Sequence, residues 1–352
     1  MARLRVGVIG AGSWALASHI PNLAARGDEV EMVAVARKGP ELLRLVKDRF
    51  GFQVASEDYR EVLDAGVDIC VVASPSGLHH EHATAALEAG AHVLCEKPVT
   101  IDPADAWSLA DTARRRRREL IIAFGWNYRP MVVEAKRLMD EVGIGTLEHM
   151  TVHMASVTRE LLSNTGAYPD ASPEAVPEAG TWTDPSRSGG GYGQAQLSHA
   201  LGLALWLTGA RADAAFALMS APLGAPVELH DAISMRFEGG AIGAVSGGSC
   251  HLGSGGNKHQ LEVRAIGSEG QLHVDVEREL VWLYRPDGTE IRVDTEPEAG
   301  LYDCVGPVDA LVDAGLGRPV ANRSPAELGA RTVEALDLAY RSARSGRLEE
   351  RG

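Results

Sequence analysis

Cysteine is scarce. The 352-residue chain has four, and Cys70, Cys95, Cys250 and Cys304 stand at none of the spacings of a redox pair or a zinc knuckle. That excludes a disulfide scaffold, and Cys70 and Cys95 lie in apolar runs as buried, reduced thiols do. A reducing, cytoplasmic compartment is the expectation. Basic residues are also in deficit, 34 Lys and Arg against 48 Asp and Glu, for a formal charge of -14. A nucleic-acid partner, which demands a cationic surface, is therefore not expected. No apolar run approaches the ~18 residues that cross a bilayer, and the amino terminus shows no signal-peptide core, so no membrane partner is expected either. His80, His82 and His92 have no metal-ligand spacing, and no metal site is assigned.

What is present is ordinary globular composition, 45% hydrophobic and 23% charged, over a length that favours two cores. Short β-branched runs alternate with helical patterns through the first third. Strands are expected at Leu4–Ile9, Met32–Ala36, Ile69–Ala73, His92–Cys95 and Leu120–Phe124. Helices are expected from the glycine turn to about Ala25, and over Pro40–Phe50, His79–Ala89 and Pro103–Arg117. This alternation predicts a doubly wound parallel sheet. After Gly125 the rhythm changes: a helix over Met131–Glu141, a strand near Thr151, then a Pro-, Gly-, Asp- and Ser-rich stretch, Ser163–Ser188, read as a long loop. A helix over Leu197–Leu207 and strands from Ala214 to Val293 follow, and two helices close the chain near Asp303–Ala314 and Pro325–Ser345. The expected architecture is α/β plus α+β. Residues 1–125 form a dinucleotide-binding Rossmann domain, and 126–352 an open, mostly antiparallel sheet covered by helices, for substrate binding and self-association.

Gly10-Ala11-Gly12-Ser13-Trp14-Ala15 stands between the first strand and first helix. Glycines there let the turn tighten and the backbone approach a pyrophosphate on the helix amino terminus. Gly10, Gly12, Ser13 and Trp14 are therefore candidate cofactor-binding residues. At the end of the second strand, where an NAD-selective site places Asp or Glu for the ribose hydroxyls, the chain has Arg37 and Lys38. Two cations suit a 2′-phosphate, so NADP is the expected cofactor, with NAD as the alternative. A solvated basic turn is the plainer account. The run Arg114–Arg118 ends a helix, where cations complement the macrodipole in water, and no function is given to it.

Three segments carry the remaining chemistry: Ser74-Pro75-Ser76-Gly77-Leu78-His79, Glu96-Lys97-Pro98, and Gly189-Gly190-Gly191 ahead of a helix with His199. The first two end strands at the carboxyl edge, where ligands bind in such sheets. Together with Asn127-Tyr128-Arg129-Pro130, Gly143-Ile144-Gly145 and Gly267-Ser268-Glu269-Gly270, they resemble the glucose–fructose oxidoreductase, inositol dehydrogenase and rhizopine-catabolism (Gfo/Idh/MocA) family over nearly the whole chain. The resemblance implies a dehydrogenase or reductase acting on a CH–OH group of a sugar, sugar derivative or cyclitol. It assigns catalysis to Lys97 and His199 and a cis peptide bond before Pro98. Ser74, Ser76, His79, Glu96 and Lys97 join the expected cofactor contacts, and Lys97, Asn127, Arg129, Tyr192, Gln196 and His199 the expected substrate contacts, in a cleft between the domains. A homodimer or homotetramer through the carboxyl-terminal sheet is expected.

One departure matters. The family carries an Asp one helical turn before the histidine, and here the position is Ala195. A carboxylate at that spacing would raise the basicity of the imidazole; Gln194 and Gln196 offer only neutral amides. Two rival outcomes follow: a redox-neutral enzyme that retains its cofactor for elimination, epimerisation or glycoside cleavage, and a non-catalytic NADPH-binding regulator.

Overall fold

The computed structural model describes residues 3–168, 180–250 and 259–352. The described residues form two compact units. One comprises 3–125, 180–181 and 303–330; the other takes 126–168, 182–250, 259–302 and 331–352.

The first unit is built on six strands: β1 (Leu4–Ile9), β2 (Val30–Ala36), β3 (Val54–Ser56), β4 (Ile69–Val72), β5 (His92–Cys95) and β6 (Leu120–Ile122). Their order is β3-β2-β1-β4-β5-β6, and every pairing is parallel. Parallel sheets need both faces covered, which is why Ile69, Cys70, Val71 and Val72 are all buried. The helices between them are α1 (Ile20–Ala24), α2 (Pro40–Phe50), α3 (Tyr59–Asp64), α4 (His79–Glu88) and α5 (Pro103–Arg116).

Two features depart from the expected elements. The first helix is not regular: a π-helical stretch, Ala15–His19, precedes α1. β3 and α3 were not expected at all. A three-residue strand shows no period, and α3 announces itself only by its cap, the Asp58 carboxylate accepting the Arg60 amide at 3.0 Å.

The second unit holds β7 (Leu147–Ser156), β8 (Ala212–Ser220), β9 (His230–Phe237), β10 (Ile242–Ser249), β11 (Gln260–Gly267), β12 (Gly270–Asp275), β13 (Leu280–Tyr284), β14 (Glu290–Arg292) and β15 (Glu349–Glu350). They form one sheet in the order β14-β13-β12-β11-β7-β10-β9-β8-β15. Only β10 and β7 run parallel. Helix α6 (Pro130–Glu141) and α9 (Ser198–Thr208) cover one face. On the other face Phe216, Leu218, Ile242 and Ile266 are exposed. A short helix, α7 (Arg159–Leu162), immediately precedes the expected long loop, and a second, α8 (Pro185–Ser188), lies at its end; residues 169–179 of the loop lie outside the described residues.

The expectation that everything after 126 belongs to the second unit needs correction. Helix α10 (Val305–Gly315) returns to the first, where it meets β4, β5 and β6 and buries Pro307, Val308, Leu311 and Val312. The following segment covers the β6 edge: the Ile122 amide donates to the Ser324 carbonyl at 2.8 Å, and the Ser324 hydroxyl to the Ile122 carbonyl at 2.6 Å. An uncovered parallel edge would expose unpaired backbone groups, which is the physical reason for the return. The remaining helix, α11, runs over Ala326–Ser345.

At Gly315 a Cβ would stand 2.7 Å from Ile69 Cγ2 and 2.8 Å from Leu4 Cδ1. Gly315→Val is expected to destabilise the protein by about 1–3 kcal/mol through overpacking. Urea unfolding followed by tryptophan fluorescence measures it; an unchanged midpoint would contradict the close seat of α10 on this sheet.

Candidate active site

The site of the first unit starts from its glycine turn. Gly10 has φ 92°, and a Cβ there would fall 2.3 Å from the Ser74 amide nitrogen. The loops after β1 and β4 touch only because this residue has no side chain. The Gly10 amide donates to the Ala36 carbonyl at 2.8 Å. Gly12 is the opposite case, since nothing lies within 4 Å of where its Cβ would be. That open space fronts the helical turn beginning at Ser13, with Ser13 and Trp14 partly exposed. A tight first glycine and an open second one fit a diphosphate cradled by backbone amides. Arg37 leans onto the same turn, donating from Nη1 to the Ala11 carbonyl at 2.8 Å, while Lys38 is exposed. Among the described residues, the carboxylate of Glu57 accepts the Gly39 amide at 2.6 Å.

Glu96 and Lys97 follow β5. Glu96 is buried, with Oε1 2.7 Å from His19 Nε2 and Oε2 accepting the Lys97 amide at 3.0 Å. Burial pushes its carboxyl up, but the His19 hydrogen bond and the charges of His19 and Lys97 leave it below the ordinary value. Lys97 is partly exposed by surface area, yet the packing around it pulls its ammonium below the ordinary lysine value, against the opposing pull of Glu96. The peptide bond between Lys97 and Pro98 is cis. The Cys304 sulfur joins His19 and Glu96 in a buried group whose donor atoms lie within 4.8 Å of one another. The His19–Glu96 hydrogen bond already satisfies the facing atoms of that pair.

His79 binds two carbonyls at once, Pro98 through Nδ1 at 2.9 Å and Ser74 through Nε2 at 2.6 Å. It ties the loop after β4 to the loop after β5. Burial pushes its imidazole down, and the two carbonyls and Glu96 pull the other way. His82 Nδ1 meets the Ser74 hydroxyl at 2.9 Å. Glu96 and His79, expected as cofactor contacts, thus turn their polar atoms inward, onto His19, the Lys97 amide and the carbonyls of Ser74 and Pro98. Ser74 and Ser76 remain partly exposed. His19 was not singled out from the sequence; a lone histidine on an apolar helix face carries no signal there.

In the second unit the candidate His199 is buried on α9. Its ring meets Trp126 edge-on at 5.2 Å between centroids and Tyr302 at 5.0 Å. Trp126 also packs on Tyr302 at 4.5 Å and on His259 at 5.3 Å, and donates from Nε1 to the Gly300 carbonyl at 3.0 Å. Tyr302 and His259 were missed because neither belongs to a motif. Asn127 is buried in the same segment.

Two expected substrate contacts are built differently. Arg129 donates to the Ala299 and Glu298 carbonyls at 3.1 and 2.9 Å, so its guanidinium holds that loop. Tyr192 is fully buried: its hydroxyl donates to the Met154 carbonyl at 3.0 Å and accepts from Ser156 at 2.9 Å. A Cβ on Gly247 would sit 2.6 Å from its ring. A tyrosine so enclosed cannot lie against a sugar face. A π-helical stretch, Gly193–Leu197, leads into α9; Ala195 and Gln194 are buried, and Gln196 is partly exposed.

Behind that stretch, Asp231 on β9 is buried, and neither carboxyl oxygen has a hydrogen-bond partner among the described residues. Burial, with the charge of Glu228, pushes it well above the ordinary aspartate value.

Two family models match the sequence: the oxidoreductase family with an NAD-binding Rossmann fold (GFO_IDH_MocA) over residues 4–124, and the GFO/IDH/MocA C-terminal domain over residues 132–273. Curated relatives include the D-glucoside 3-dehydrogenase of Escherichia coli (strain K12), 31% identical over 189 residues, 53% of this chain and 49% of that protein. The myo-inositol 2-dehydrogenase of Thermotoga maritima is 26% identical over 282 residues, 78% of this chain and 76% of that protein. The matched segment spans about half the length of the first of these. Among solved structures, levoglucosan dehydrogenase in complex with NADH and levoglucosan superposes with a TM-score of 0.78 at 22% identity, covering 99% of each chain; that likeness is one of fold. No helix among the described residues is long and apolar enough to cross a membrane.

An acid whose folded pKa is raised stabilises the fold fully only below its unfolded pKa and loses that contribution as pH rises. Asp231→Asn should therefore gain stability relative to the parent chain between about pH 4 and pH 8. Denaturation midpoints of both proteins across that range test it, and a constant difference would show that Asp231 is ionised in the fold.

Proposed function

This chain belongs to the Gfo/Idh/MocA oxidoreductase family, and from that premise we propose that it moves hydride between NADP(H) and a carbinol carbon of a sugar, sugar derivative or cyclitol. The observation that carries the reading is Lys97: a partly exposed lysine with a depressed pKa, its backbone amide locked by a buried carboxylate, on the same sheet edge as the open glycine turn.

The turn Gly10–Trp14 would hold the diphosphate, and Arg37 with Lys38 the 2′-phosphate, two guanidinium and ammonium charges where an NAD site needs acceptors. The nicotinamide, when bound, supplies the hydride chemistry. The residues of this chain supply binding and proton handling. Oxidation of a carbinol releases a hydroxyl proton, and neutral Lys97 accepts it at Nζ. Burial favours that neutral form, and Glu96 limits the effect so that the amine can be reprotonated for the reverse direction. His199 is assigned the second proton-handling role, its aromatic neighbours restricting the ring. Gln196, Asn127 and Trp126 are assigned to substrate. The uncovered face of the nine-stranded sheet is assigned to a homodimer or homotetramer.

A second reading is favoured by Ala195, which is buried where the family carries a carboxylate. Transient oxidation with a retained cofactor, leading to elimination, epimerisation or glycoside cleavage, tolerates a weaker base. Net NADPH formation on a panel of sugars and cyclitols separates the readings, because a redox-neutral enzyme yields none.

Lys97→Ala is expected to lower kcat by about 10² to 10⁴ while NADPH affinity, followed by fluorescence titration, stays within about threefold, since the glycine turn is intact. Wild-type turnover in that variant would remove Lys97 from the mechanism. Glu96→Gln takes away the charge that holds the Lys97 pKa up, so the rising limb of kcat/KM against pH for the oxidation moves to lower pH; a shift the other way contradicts neutral Lys97 as the base. For cofactor choice, Arg37→Ala should cut kcat/KM with NADP⁺ by at least about tenfold and leave NAD⁺ nearly unchanged. Equal losses would mean that Arg37 only braces the turn.

A further inference from the structure

The triple glycine has a partner that no motif indicates. The Gly191 amide donates to both oxygens of the Glu228 carboxylate, at 2.8 and 2.9 Å, and the Gly193 amide donates to Oε1 at 3.1 Å. The Tyr340 hydroxyl donates to the same Oε1 at 2.5 Å and accepts the Gln194 amide at 3.2 Å. All these residues lie in the second unit. Side chains at Gly190, Gly191 and Gly193 are forbidden by this arrangement. Their Cβ atoms would meet the Tyr340 oxygen at 2.3 Å, the Glu228 carbonyl oxygen at 2.2 Å and the Tyr340 oxygen at 2.7 Å. The glycines are therefore shaped around a carboxylate and a phenol that arrive from 37 and about 150 positions along the chain.

The amides so captured open the π-helical stretch that leads into α9. First-turn amides of a helix have no partner within it, and a carboxylate is the strongest acceptor a protein can bring to them. A π turn is uncommon and persists where its surroundings hold it. It inserts one residue relative to an α-helix, which turns everything before it by roughly 100° about the axis relative to everything after it. Here Gln196 lies within that π-helical stretch and His199 stands just beyond its end, on α9. We infer that Glu228 and Tyr340 are positioning residues: their clamp on the Gly191, Gly193 and Gln194 amides holds the π turn that sets the orientation of His199 relative to Gln196. The inference rests on the reading of His199 as a proton-handling residue.

The test compares Glu228→Ala, Glu228→Gln and Tyr340→Phe with His199→Ala as a control, measuring kcat, KM, NADPH affinity and amide hydrogen exchange. A misdirected catalytic group loses turnover by about tenfold to a hundredfold. Tyr340→Phe and Glu228→Ala are expected to show that loss in kcat with NADPH affinity unchanged, and Glu228→Gln, which keeps one acceptor oxygen, to recover part of it. Amides 191–199 should exchange faster in the first two variants while those of α6 do not. Should Glu228→Ala fail to fold, Tyr340→Phe, which removes only a hydroxyl, carries the test alone. Parental kcat together with parental exchange in Tyr340→Phe overturns the inference. Faster exchange spread over α6 as well overturns it too, because the pair would then merely stabilise the unit. If His199→Ala turns over at the parental rate, the catalytic role of His199 is what fails, and local exchange at 191–199 still decides the clamp.

Discussion

A buried carboxylate at the end of a parallel strand governs the first unit. Glu96 has one oxygen on His19 and the other on the Lys97 amide, so a single ionised group fixes the helix after the glycine turn and the backbone of the candidate catalytic lysine together. Glu96 needs donors because an unpaired buried charge is costly, and His19 is held at the end of its π-helical stretch by the same bond. The charge also sets the chemistry of Lys97: burial pulls that amine toward neutrality and Glu96 resists.

The second unit repeats the device with different parts. A carboxylate from distant sequence, Glu228, takes the amides that open a π-helical stretch, and a histidine stands just beyond it. In both units a wide helical turn, unfavourable alone, is maintained by a remote acid and lies beside a residue with a chemical assignment. Wide turns break the regular spacing of side chains, and so place polar groups in directions that an α-helix would not allow. The clearest difference from the family, alanine at position 195, falls inside one of these turns. Counting positions along an ideal helix is an unsafe guide there.

How much was legible in the sequence follows from the range of each interaction. The glycine turn, the alternation of strands and helices, the Glu96-Lys97-Pro98 segment and the helix with His199 are local patterns, and their elements lie where residue spacing puts them. Side-chain roles inside those motifs were less legible. His79, Arg129 and Tyr192 belong to the right segments, but their polar atoms turn to backbone carbonyls or a buried serine. Motif membership says that a residue is needed and leaves open whether it faces a ligand or supports the one that does.

The sequence alone determined the fold class, the family, the open glycine turn and the lysine on which the chemistry is proposed to depend, because each is encoded by neighbours in the chain. Tertiary structure alone decided which acids support which amides. His19 with Glu96 is 77 positions apart, Gly191 with Glu228 is 37, and Gln194 with Tyr340 is 146. It also decided that α10 covers the first sheet. Contacts of that separation leave no periodic trace, since their partners are chosen by the packing of whole elements and the need to satisfy every buried polar group.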